Sequence, residues 1–440
     1  MKKLTILFSI LLLVRLTDVF GQQYLMTKPE GFGAGTTGGG SASPTTVTTE
    51  SAFKSALTAS GSGVILVSGT ITFSAMMKAV VTNKTILGLP GARLVNNVQT
   101  KDGSGVLYLQ NGSNNVIIRN LTFEGPGAYD VDGNDNLTVD GCTKLWVDHC
   151  EFQDGMDGNY DNKGNTDNVT VSWCKFTYKK APKAGGSGGT DDHRFSDLIG
   201  SNASNYPADG HYSITWQNCY WADGCKERMP RARNSELHLL NCYYNTSVSA
   251  SLAIGLGGGD KNTTCYVENC DFAKIATVYK NYNSTDGGTV GIVFSGCLSG
   301  GTSSGTASKP SYTTSSFAAS MVATAIPNAS CGAGATLKIS SNGTISSSCI
   351  TTDIESESIS NISSSLAYPN PSTGAFTVRG KEGIKALSIL NLNGEVVYAN
   401  QGIAAGNEVE IVEELKEGVY FIQLQLVSGT KETIKFVKAK

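Results

Sequence analysis

Residues 145–152 read "LWVDHCEF", an apolar line that ends in a cysteine followed two places later by an aromatic. The line returns as "VTVSWCKF" (169–176), "SITWQNCYW" (213–221), "LHLLNCYY" (237–244), "CYVENCDF" (265–272) and, with Ser299 in the aromatic's place, "GIVFSGCLS" (291–299). Its cysteines, Cys150, Cys174, Cys219, Cys242, Cys270 and Cys297, are 24, 45, 23, 28 and 27 residues apart. A self-similar period of this size signals a solenoid, in which each unit buries its apolar side against the next. Each step reads as one turn of a parallel β-helix, with an insertion in the 45-residue step. Equivalent strands would then lie about 4.8 Å apart, so equivalent positions stack into ladders. The cysteines form an inward ladder of small apolar thiols. By strand alternation, Phe152, Phe176, Trp221, Tyr244 and Phe272 point the same way and join the core. A β-sandwich would not require like residues at like positions. Disulfides between some of the ladder cysteines remain open.

The chain around this repeat has 440 residues, 51 of them glycine, and a formal net charge of -3. So weak a charge argues against a general nucleic-acid or membrane-surface binder. The opening "MKKLTILFSILLLV" has a lysine pair, a short apolar run and small residues near Gly21. That is the pattern of an export signal, expected over 1–21, and it is too short for a membrane helix. Eleven cysteines would suit an oxidising compartment, and Cys331 and Cys349 could close a loop. With no CxxC pair and only four histidines, a zinc or redox site is not expected. The region 22–336 is expected to carry the coil, with no long stretch of helical periodicity between about 38 and 300. Residues 337–365 are Ser/Thr-rich and read as a linker. The unit 366–440 has alternating strands such as "ALSILNLNGEVVY" and "GVYFIQLQL", with Asn-Gly at a turn. It opens on "YPNPSTG" and resembles the C-terminal sorting domain that directs Bacteroidetes proteins to the type IX secretion system. An ordinary small β-sandwich for binding is the alternative.

Chemistry-bearing residues share a phase on the coil. Asp135 lies 15 residues before Cys150, Asp157 and Asp161 lie 17 and 13 before Cys174, and Arg228 lies 14 before Cys242. These four are expected on one side, with Arg228 two turns from Asp161, on the order of 10 Å away. Clustered carboxylates suggest a hard cation with oxygen ligands, and Ca²⁺ fits best. Taken singly, each Asp-Gly is an ordinary turn pair; the common phase makes them a site. Arg228, Arg231 and Arg233 sit within "CKERMPRARN" (225–234), before a strand, where they are expected to bind an acidic polymer, Arg231 with Arg233 as substrate-binding residues. Guanidinium groups pair well with carboxylates. A metal beside arginines points to a polyanionic substrate such as a uronic-acid polysaccharide.

The ordered pieces "NLTVDGCTKLWVDHCEF", "DGNYD", "NVTVSWCKF", "LIGS", "ERMPRAR" and "LHLLNCYYN" resemble polysaccharide lyase family 1, the pectate lyases. Weaker echoes reach back to about residue 62. The resemblance implies an all-β chain with a right-handed parallel β-helix, followed here by the small C-terminal β-sandwich. It implies Ca²⁺ and cleavage of polygalacturonate by β-elimination. On this resemblance Asp157, Asp161 and Asp135 are metal ligands, Arg228 is the catalytic base and Arg233 binds substrate. A further family acid falls on Gly133, so one ligand is missing, and water or Asp132 would have to compensate. The family's substrate-binding lysine falls on Phe195. Its neighbour Arg194 takes that role, with Lys179, Lys180 and Lys183 as alternatives.

Three other readings stand beside this one. A pectin lyase acting on methylated polymer without calcium would keep the arginine but have less use for the acids. A glycoside hydrolase would need paired carboxylates, and Asp191 and Asp192, followed by His193, are adjacent; neighbours in a strand face opposite ways. A surface protein could bind acidic polysaccharide without cutting it. The expected partners are a pectate chain and the secretion machinery, for an extracellular monomer exported through the periplasm, with no role for nucleic acid.

Overall fold

The structure is a computed structural model that describes residues 24–349, 365–401, 408–412 and 415–439. The expected export signal and the stretch 350–364 lie outside them. The chain divides into two units near residue 353.

The first unit is a parallel β-helix of about eight turns, built from three sheets of ten, eight and eight strands. The ten-stranded sheet carries the repeated lines in unbroken register, with Leu145, Val169, Ile214, Leu237, Cys265 and Ile292 on successive rungs. All six are buried. Each of the six lines ends at a corner residue with positive φ, namely His149, Trp173, Asn218, Asn241, Asn269 and Gly296. Asparagine accepts that conformation more readily than most residues, which accounts for its recurrence just before the cysteine. After the corner the chain enters the third sheet, where the expected aromatic ladder forms. Phe123, Phe152, Phe176, Trp221, Tyr244 and Phe272 stack at centroid distances of 4.8, 5.3, 5.5, 4.8 and 4.4 Å. Each such pair contributes about 0.5–1.5 kcal/mol beyond the burial of its surface. The repeat cysteines are free thiols, buried except for the half-buried Cys297, so they act as packing and not as cross-links. Cys331 and Cys349 are disulfide-bonded.

Two features differ from expectation. Glu50–Thr58 is an α-helix, capped by the Thr49 side chain accepting from the Ala52 N–H. It buries Phe53 and Leu57, and Phe53 packs edge-on against Phe73. Nine residues are too few to show helical periodicity in a strand-rich background. Within the span expected as linker, Leu337 and Ile339 are buried against Val64, Leu66 and Leu87. Lys338–Ile339 pairs with Ile345–Ser346.

Behind the repeat line sits a buried polar knot. Asp148 Oδ2 accepts from Arg119 Nε at 2.8 Å and faces His149 Nδ1 at 2.8 Å, while Oδ1 accepts from Ser172 at 2.6 Å. Arg119 also donates to the Met26 carbonyl and lies over the Trp146 ring.

The second unit has two antiparallel sheets of three and four strands. Phe376, Val378, Leu387, Ile389, Ile422, Leu424 and Phe436 form its core. The expected Asn393-Gly394 turn is present, with Gly394 at φ 81°.

Candidate active site

The second sheet of the coil positions the charged residues. Its consecutive rungs are Leu137–Asp140, Tyr160–Lys163, Leu198–Ile199, Arg231–Ala232 and Leu252–Leu256. Asp135 precedes the first of these, and Asp157 and Asp161 flank the start of the second. Arg228 precedes the fourth, so one rung separates its turn from that of Asp161, as the spacing predicts.

Burial dominates the electrostatics of the acids. Asp135 is 6% exposed; Thr138 donates to its Oδ2 at 2.8 Å, while Oδ1 is buried without a hydrogen-bond partner. Its carboxyl is pushed well above the ordinary range, first by burial and then by the charges of Asp161 and Asp157. Asp161 accepts from the Leu198 N–H at 2.9 Å. Burial raises it to about 7 against the opposing pull of Arg228, with Asp157 adding to the rise. Buried carboxylates with an open lone pair and like-charged neighbours are poor structural elements. The same donor set fits an oxygen-loving cation, which would satisfy Asp135 Oδ1 and offset the repulsion.

Gly133 is where the family pattern has an acid. A Cβ there would come within 2.1 Å of Met156 Cε and 3.0 Å of Ser104 Oγ. Met156 therefore fills the space of the missing ligand. Asp132 is exposed and pairs with Lys101 at 2.6 Å, so it does not turn toward the cluster.

Arg228 sits at φ 60° with its guanidinium 4.9 Å from the centre of the Phe195 ring. Among the described residues no carboxylate pairs with it. The other arginines are engaged. Arg231 is buried, ion-paired to Asp286, and stacked 4.1 Å from the Tyr282 ring centre. Arg233 Nε lies 3.0 Å from the other Asp286 oxygen, and its Nη1 donates to the Gly200 carbonyl. Arg194 grips Asp192 with two bonds of 2.6 and 2.7 Å. Lys179 and Lys180 are held by Glu151, Gln153 and Glu124, and Lys183 lies over the Tyr129 ring. Arg228, Arg231, Arg233, Phe195, Tyr282 and Asp286 line one open cleft of about 430 Å³.

Sequence reasoning missed two groups. Asp286 ends a short helix, Asn283–Asp286, that lies outside the repeat and so carries no phase signal. Asp130 and His193 come up against Asp157, and one donor atom from each of the three falls within 4.8 Å of the others. His193 stood beside Asp191 and Asp192 in the hydrolase alternative. Those two acids are separated in use, Asp191 accepting from the Gly185 N–H and Asp192 serving Arg194 and Lys226.

Residues 10–363 match the pectate lyase family. The chain belongs to that family. It is 33% identical over 253 residues to a pectate trisaccharide-lyase of Thermotoga maritima, covering 53% of this chain and 60% of that protein. It is 29% identical over 231 residues to a pectate lyase of Bacillus subtilis, covering 43% and 49%. The chain thus spans about three fifths or less of the length of these curated relatives. Its fold is that of a solved Bacillus subtilis pectate lyase variant, with TM-score 0.52, 22% identity, and 73% of this chain and 99% of that one covered. A pectate lyase from Paenibacillus sp. 0602 gives TM-score 0.54 at 18% identity, covering 70% and 96%. Residues 366–439 match the secretion system C-terminal sorting domain, which puts the protein outside the cell or on its surface.

Proposed function

We propose that this chain is a secreted pectate lyase that cleaves polygalacturonate by calcium-dependent β-elimination. The observation that carries the reading is Arg228, free of any carboxylate partner among the described residues and near enough to buried Asp161 for its charge to oppose the rise of that carboxyl. Asp135, Asp157 and Asp161 would hold the calcium. Bound there, the ion would draw charge from the substrate carboxylate and make the neighbouring C5 proton more acidic.

Arg228 takes the C5 proton. The electron pair left behind forms the C4–C5 double bond as the C4–O bond breaks, and the leaving oxygen takes a proton from solvent. Arginine is ordinarily protonated up to about pH 12, so activity is expected to climb into the alkaline range. Arg233, on the wall of the cleft, would meet the developing negative charge, and Arg194 would join it on releasing Asp192. Arg231, buried against Asp286, supports the wall of the groove and keeps Arg233's partner in place. The sorting domain hands the chain to the secretion machinery. A strained φ and a ring beneath the guanidinium restrict Arg228 to few orientations, which suits a base that must meet one C–H bond.

The test uses the full chain with polygalacturonate and follows the ultraviolet absorbance of the unsaturated product, with calcium and then with chelator. Growth with calcium that stops on chelation is expected. Equal activity on methylated pectin in chelator would favour the pectin lyase reading. Reducing ends without new absorbance would mean hydrolysis. Binding without either product would leave a non-catalytic polysaccharide binder.

A further inference from the structure

Four histidines without a paired-cysteine motif gave no reason to look for a nitrogen-containing metal site. The insertion between Cys174 and Cys219 nevertheless builds one candidate. Its glycines close around Asp130: a Cβ on Gly186 would lie 2.0 Å from the Asp130 carbonyl oxygen, and one on Gly188 would lie 1.9 Å from Asp130 Oδ1. The loop's backbone also holds the acid, with Gly188 N–H on its carbonyl at 2.9 Å and Thr190 N–H on its Oδ2 at 2.8 Å. Only glycine permits so close a wrap. The same loop then delivers His193.

His193 is 5% exposed. Its Nε2 stands 3.1 Å from Asp157 Oδ1 and its Nδ1 stands 3.5 Å from Asp130 Oδ1. Neither nitrogen makes an aligned hydrogen bond. A buried imidazole with both nitrogens unpartnered is costly. Ligand atoms around an ion bound at about 2.1 Å stand roughly 3–3.4 Å apart, and the Nε2–Asp157 separation already has that value. Phe195 backs the imidazole at a centroid distance of 4.2 Å and carries Arg228 on the same ring.

We propose that Asp130, Asp157 and His193 form a binding site for a divalent transition metal of the Mn²⁺-to-Zn²⁺ series, distinct in donor chemistry from an all-oxygen calcium site. Imidazole nitrogen suits these ions, while calcium takes oxygen ligands. Asp157 would be shared with the calcium proposed above, and only that sharing rests on the calcium reading. Two cations on one carboxylate would stand side by side.

The test strips the full-length protein with chelator and titrates it with Co²⁺, whose visible spectrum reports nitrogen ligation, in the presence of excess Ca²⁺. One Co²⁺ per chain is expected, displaced by Zn²⁺ and not by Ca²⁺. His193→Gln should weaken it by more than the 10–100-fold that an outer-shell partner alone is worth. Should His193→Gln fail to fold, Asp130→Asn serves, since an amide oxygen can still accept from Thr190 N–H. Absence of Co²⁺ binding, or binding that these variants leave unchanged, overturns the site and leaves an imidazole clasped between two carboxylates. Cleavage of polygalacturonate is measured in parallel. Co²⁺ binding without lyase activity would sink the functional reading alone, and lyase activity without Co²⁺ binding would sink this inference alone.

Discussion

Among the carboxylates that the coil buries, Asp148 and Asp135 are treated in opposite ways. At Asp148 both oxygens are matched, by Arg119, His149 and Ser172. Burial would raise that carboxyl, but His149, Arg119 and the hydrogen bonds together bring it below its ordinary value. At Asp135 one oxygen is orphaned, and burial with like-charged neighbours drives the carboxyl up. The first carboxylate is completed by its neighbours. The second is complete only with a cation. Burial alone therefore does not separate these two acids; what does is that Asp148 has both oxygens matched and Asp135 has one left open.

The sharpest break in this comparison lies on the side of the second carboxylate. Arg228→Ala should lower turnover by roughly 10²–10⁴-fold, the range of a general base, with little change in thermal midpoint, because no ion pair is lost. An equal fall in melting temperature and activity would make Arg228 structural. Next in size, Asp148→Asn should cost about 3–5 kcal/mol by leaving Arg119 buried and uncompensated, while folded molecules keep their turnover. Asp148's folded value is depressed, so its stabilisation is present above the unfolded carboxylate value of about 3.9 and is lost as pH falls through the folded value. Denaturant curves of wild type and variant should thus converge in acid. A gap independent of pH would deny the charge its role. Smaller again, Asp161→Asn in chelator should be as stable as wild type or more so, since it removes a buried charge and an amide oxygen can still accept from Leu198 N–H. In calcium the order should reverse, because wild type gains about 2.7 kcal/mol at a hundredfold excess over Kd. Calcium that stabilises both equally would remove Asp161 from the ligand set.

The coil was legible because its signal is redundant: six lines with a cysteine at a fixed offset, five of them with an aromatic two places on, specify strand, corner and inward face together. The phase of Asp135, Asp161 and Arg228 followed from the same period. What escaped lies off the period. Asp286 sits on a short helix, and Asp130 and His193 meet only because a glycine-rich insertion folds back over an earlier turn. The engagement of Arg231 and Arg233 could not be foreseen without Asp286, and arginine content alone does not distinguish a wall residue from a free one.

The smallest expected effect tests whether the acid cluster is short of a ligand. Gly133 lacks a positive φ, so a side chain is not barred by its backbone. What stands in the way is Met156 Cε, 2.1 Å from the added Cβ, the far end of a flexible chain that can swing aside. Gly133→Asp should therefore cost on the order of 1 kcal/mol. It should tighten calcium by a factor of order ten, since carboxylate count tunes calcium affinity. Calorimetric titration of the stripped variant measures the gain, and Met156→Ala in the same background should enlarge it by clearing the space. Affinity that stays at the wild-type value in both variants would mean that the three acids already complete the protein's share of the ligands, with Met156 filling space that the ion never needed.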